Sequence, residues 1–176
     1  MSAATITGQI VFYYPHTSLF EDVQEQSAYM CKNIVSKDGD ELVERFIITP
    51  DEEHMFKLCL REALPSVYTT IRVLTHGIEN AIVDSMSNTD LNAIISGTLP
   101  AGNYVVIRVM DNGAYNPNEV KIADSALQTA IELGTLSEFY TRVVEQDLTK
   151  LSAAKFAAQI KVLAKSIIGL RKKSVL

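Results

Sequence analysis

Apolar positions recur with two spacings along this chain, and the longest regular run lies in its C-terminal third. Seam positions there fall at intervals of four and three: Ile122, Ala126, Thr129, Leu133, Leu136, Tyr140 and Val143, then Ala153, Phe156, Ile160, Leu163, Ile167 and Leu170. That spacing keeps side chains on one face of a helix. It predicts two long helices, 117–144 and about 148–172, joined by a short polar break and burying their seams as an antiparallel hairpin. Gly134 lies beside the first seam, where a missing side chain would let another helix approach closely.

Upstream, residues 5–13 are rich in β-branched and aromatic types and read as a strand. A helix is predicted over 17–34, with Ser18 and Glu21 at capping-box spacing and Phe20, Val23, Ser27, Met30 and Ile34 on its inward face. Lys37-Asp38-Gly39-Asp40 reads as a turn, and 41–48 as a short strand or an extended connector. Thr49-Pro50-Asp51-Glu52 is a strong helix start, and Asn116-Pro117-Asn118-Glu119 repeats the device. The helix from Pro50 to about Thr75 carries Pro65, which predicts a kink near 61–64, and Gly77 ends it. Glu79–Ser85 reads as a second strand, Thr98–Asn103 as a turn, and Tyr104–Met110 as the best strand in the chain, closed by Asp111-Asn112-Gly113.

The predicted fold class is α+β: four helices, including the C-terminal antiparallel helical hairpin, plus a small antiparallel β-sheet. One domain over 1–176 is expected, with a helical body at 17–77 and 116–173 and β elements at 5–13 and 78–112. The element order lacks βαβ alternation, which argues against a doubly wound sheet.

The 176 residues, 47% apolar and 21% charged, are those of a folded globular chain. No apolar run approaches the ~20 residues that span a bilayer. Met1–Thr5 lacks the basic start and apolar core of a signal peptide, so a cytosolic product is expected. Cys31 and Cys59 lie on apolar helix faces and read as buried thiols. The net charge of -5 hides a partition. Residues 1–149 hold 9 basic and all 21 acidic side chains (net −12), while 150–176 hold 7 basic and no acidic ones (net +7). An acidic body and a basic last helix suit contact between copies or with an acidic partner.

Little points to a reaction. There is no Walker A sequence, GxGxxG or HExxH. His16, His54 and His76 sit in different elements with no ligand spacing, so surface histidines are the plain reading and no metal or cofactor is expected. Asp51-Glu52-Glu53 occupies a helix first turn, where acids are stabilising in any case. Asp38 and Asp40 are too few for a calcium loop, and Ser85, Ser87 and Ser96 lack a GxSxG context. The basic helix lacks interleaved exposed aromatics, and the net acidity disfavours a dedicated DNA-binding domain. The residues therefore read as non-enzymatic. A concave pocket with convergent polar groups in 78–115 would reopen that reading.

The layout resembles a family. An acidic-started first helix (Ser18-Leu19-Phe20-Glu21-Asp22-Val23) is followed by an extended segment ending in Thr49-Pro50-Asp51-Glu52-Glu53 and a long helix (Phe56-Lys57-Leu58-Cys59-Leu60-Arg61-Glu62-Ala63). A β segment follows, and the chain closes with Leu133–Tyr140 and Ala153–Ala158. In that order the chain resembles small virion proteins of tailed bacteriophages that act as head–tail connector or neck-ring subunits. The resemblance implies a homo-oligomeric ring between portal and tail, assembled in the bacterial host cytoplasm. It carries no catalytic residue; a tail-completion protein would look much the same. Lys155, Lys161, Lys165 and Arg171 are then candidates for a charged contact between copies, with Asp51, Glu52 and Glu53 as one acidic counterpart. A basic inner face would also suit non-specific contact with DNA in a channel. The competing reading is a cytosolic binding or regulatory module that dimerises through the helical hairpin.

Overall fold

The computed structural model describes residues 3–6, 8–32, 46–72, 82–110, 117–143 and 146–171. The turn at 37–40, most of 41–48, Ile34, His76, Gly77, the turn at 111–113, Asn116, Lys172 and Lys173 lie outside the described residues.

The N-terminal run is two strands: β1 (Ala3–Ile6) and β2 (Gln9–Pro15) pair antiparallel, with Ile6 opposite Gln9. Gly8, at φ +75°, lets the chain reverse where a side chain would be strained. The single strand expected over 5–13 is thereby corrected, because the β-branched pattern continues across the glycine and hides the turn. β3 (Ile82–Ser87) and β4 (Asn103–Met110) complete an antiparallel sheet of order β1-β2-β4-β3.

The sheet is apolar on both faces. Ile10, Phe12 and Tyr14 of β2 join Val105, Ile107 and Val109 of β4 on one face, in the main core. Val11 with Tyr104 and Val106 forms a second cluster on the other, around Leu91. Burial on both faces is why Tyr104–Ile107 of β4 reads as an unbroken apolar run.

The second face is covered by a helix that sequence patterning missed. α3 (Asn88–Ile95) lies within the stretch expected to be non-helical, so the described residues carry five α-helices instead of four. Its start is legible in retrospect: Ser87 Oγ accepts from the Asp90 N–H at 3.2 Å, and Leu91, Ile94 and Ile95 follow at helical spacing. Ser96, left-handed at φ 53°, ends it.

The main core is built by the other four helices. α1 (His16–Cys31) begins directly after Pro15, so Ser18 falls inside the helix and the expected cap is not used. Leu19, Val23, Ser27, Met30 and Cys31 are buried; Phe20 is half-buried, its ring 4.9 Å from that of Phe56. A 3₁₀ turn (Pro50–Glu52) leads into α2 (Glu53–Ile71), which continues as one helix through Pro65. The predicted start holds: the Glu52 carboxylate accepts from the Thr49 N–H at 2.7 Å.

α4 (Pro117–Arg142) is the central helix, packed against α1, α2 and α5 (Gln146–Arg171). It is buried on more faces than one seam provides: Ala123, Leu127, Ala130, Ile131 and Phe139 are in the core beside Ala126, Leu136 and Tyr140. Ile122, assigned to the seam, is 52% exposed. α5 runs back along α4. Thr149 Oγ1 donates to the Tyr140 carbonyl at 2.9 Å, Gln159 Nε2 donates to that of Ala126 at 3.1 Å, and Gly169 meets Glu119. Leu163, Ile167 and Leu170 are buried as expected, but Ala153 is exposed and Leu148 and Ser152 take the inward positions. Gly134 sits where α2, α4 and α5 meet. A Cβ there would lie 3.0 Å from Ala63 Cβ and 3.1 Å from the Phe156 ring.

Candidate functional site

The amphipathic pattern of α5 directs its lysines to two places. Lys161 and Lys165 are exposed on the side away from the buried Leu163 and Ile167, as is Lys150 at the helix start. Lys155 instead turns toward α1, with Nζ 5.8 Å from the centre of the exposed Tyr29 ring. Arg171 is the last residue of α5. The same helix exposes Leu151, Val162 and Ile168, with Ile122 beside it on α4. Most of the large apolar side chains exposed among the described residues therefore belong to this helix pair, which concentrates them where an interface would.

The acids predicted as a counterpart lie at the start of α2 and are engaged locally. Glu52 caps its own helix, and Glu53 pairs with Lys57 at 2.7 Å. The Lys57 ammonium holds the Glu53 carboxyl below its usual range. Asp51 is exposed beside them. Among the described residues no ion pair joins Lys155, Lys161 or Lys165 to these three acids.

A second acidic surface was missed by sequence patterning. Asp22, Glu25 and Gln26 of α1 face Ser125, Gln128, Thr129 and Glu132 of α4 across an open cleft of about 280 Å³. Gln128 Nε2 donates to Asp22 Oδ2 at 3.0 Å, and Gln26 Nε2 donates to Glu132 Oε2. Glu132 is only 5% exposed, and burial pushes its carboxyl up to about 7, with the nearby Asp22 carboxylate adding to the rise. The hydrogen bonds from Gln128 and Gln26 pull the other way. The available signal was an acid placed directly after Ala130-Ile131 in a helix apolar on several sides. On a central helix such an acid is buried and needs partners. Deeper in, Asp124 Oδ1 accepts from the Tyr14 hydroxyl at 3.0 Å, tying α4 to the sheet.

Another cleft, of about 410 Å³, lies where the α1 start meets residues 99–104 and α2. Its Lys57 is bonded to Glu53, and its Tyr104 hydroxyl donates to the Pro100 carbonyl at 2.8 Å. Those two polar groups therefore have partners within the chain. Both cysteines are buried thiols, and burial pushes Cys59 up to about 11. Among the described residues no group of three or more His, Cys, Asp or Glu side chains is placed to hold a metal, and no helix is long and apolar enough to cross a membrane.

Comparison with family models, with curated proteins and with solved structures returns no match.

Proposed function

We propose that this chain is a non-enzymatic structural subunit of a tailed-phage particle, a connector or neck protein forming a homo-oligomeric ring between portal and tail. The observation that carries the assembly part is the outer face of α5, where exposed apolar side chains alternate with Lys161 and Lys165. Apolar side chains gathered with lysines on one helix face are what an interface between proteins uses. The phage part rests on the order of elements, from the first helix to the closing pair. In this reading the C-terminal helical hairpin is the assembly element. Its inner seams serve the monomer, and its outer face meets portal, tail or a neighbouring copy.

Mass spectrometry of purified particles from the phage or prophage that encodes the chain tests this directly. Peptides of the chain should appear at a stoichiometry typical of a structural component. A chain absent from particles and confined to the soluble cell fraction as a symmetric dimer would replace this reading with the binding or regulatory module.

A further inference from the structure

We propose that the partner of the α5 outer face is a second copy of this chain, and that Lys161 and Lys165 of one copy dock on the α1–α4 cleft of the next, against Asp22 and Glu25. The inference deepens the assembly reading above and rests on it.

Three observations lead there. First, Leu151, Val162 and Ile168 are 43%, 49% and 52% exposed on α5, so the face offers apolar area that water covers poorly in the monomer. Second, exposed small residues, Ala154, Ala157 and Ala158, lie between those side chains and let a neighbouring backbone approach closely. Third, the charges decide what approaches. Two α5 faces laid on each other would bring together surfaces of the same positive sign, which is repulsive. The α1–α4 cleft carries the opposite sign. Glu25 at its rim is exposed and Asp22 lies within it; no basic side chain lines this cleft, and Lys155 lines only the adjoining hollow beside Tyr29. The acids at the start of α2 are weaker candidates: Lys57 neutralises Glu53 and Glu52 caps its own helix, whereas the Gln128 amide leaves the charge of Asp22 in place. A contact between unlike surfaces is also what a ring of identical copies requires.

Charge reversal with mutual rescue tests the pairing. K161E/K165E reverses the helix face, and E25K/S125K reverses the cleft. All four positions are exposed, so melting curves should stay close to wild type and show that both variants fold. By sedimentation velocity and native mass spectrometry at low salt, wild type should self-associate. Each double variant alone should do so at least about tenfold more weakly. An equimolar mixture should recover assemblies that contain both variants in equal number, since each altered face then meets an altered cleft. A monomeric wild type, variants that associate like wild type, or a mixture without recovery would each overturn the pairing. Particle mass spectrometry separates this from the ring reading. A chain found in particles whose association ignores both reversals would lose only this contact. A chain absent from particles that still shows mutual rescue would lose only the phage assignment.

Discussion

Three positions in or against α4, namely Gly134, Glu132 and the Tyr14 contact with Asp124, set how this protein responds to small changes. At Gly134, a methyl group would meet Ala63 Cβ at 3.0 Å, and that atom is fixed to the α2 backbone. Gly134→Ala should therefore lose about 1–3 kcal/mol of stability by denaturant midpoint, despite the better helix propensity of alanine. A gain would show that α2 and α5 yield easily. Tyr14→Phe removes the hydroxyl that bonds buried Asp124 at 3.0 Å and should cost about 1–3 kcal/mol. Glu132 makes stability depend on pH. Its folded carboxyl is raised from the ordinary 4.5 to about 7. Between those values the folded state keeps a proton that the unfolded chain has lost, so stability falls as pH rises through that window. The loss, on the order of 3 kcal/mol, is complete about a unit above pH ~7. Glu132→Gln should flatten this part of the pH–stability curve and stabilise the protein at pH 8 relative to wild type. A variant whose curve keeps the wild-type slope between pH 5 and 7 would remove Glu132 as the cause.

At the scale of elements, the helix starts carry much of the local specification. Glu52→Ala should cost about 0.5–2 kcal/mol, because the Thr49 N–H loses its acceptor at 2.7 Å. The two sides of α5 should respond in opposite ways. Leu163→Ala or Ile167→Ala opens a cavity against the main core and should cost about 2–5 kcal/mol. Lys161→Ala and Lys165→Ala should leave the melting temperature nearly unchanged, since both side chains are exposed. Lysine variants that melt as badly as the leucine variant would show that both sides of α5 hold the fold. The chain pattern is most legible where one face of an element meets one core, as in α1 and the C-terminal half of α5. It is least legible where an element meets more than one: α4 touches three helices, and the sheet is covered on both sides, so a single seam or a single strand face describes neither.

For the whole molecule, the charge partition is the property with the widest reach. If contact between copies depends on it, association should weaken steeply as salt rises, because exposed charges are screened over about 10 Å at 0.1 M ionic strength. Equal association at low and high salt, measured by light scattering, would assign the contact to Leu151, Val162 and Ile168 alone. The lysines were visible in the chain as a basic last helix, and their exposure followed from the buried seam beside them. Their acidic counterpart was not visible. Asp22 and Glu25 are on α1 and Glu132 is on α4, more than a hundred positions away, and only the packing of α1 on α4 makes one cleft of them.

Mixed α and β content, the capped start of α2, the long C-terminal helices and the segregation of charge are all written locally in the chain. Each of these is a local property: a spacing, a cap or a composition, carried by residues a few positions apart. Tertiary structure decided the rest. It folded the first strand into two at Gly8, placed α3 over the second face of the sheet, made α4 central enough to bury Glu132, and left the outer face of α5 uncovered. Those outcomes depend on which surfaces meet across long separations, and burial against a distant element leaves no mark in the spacing of the element itself.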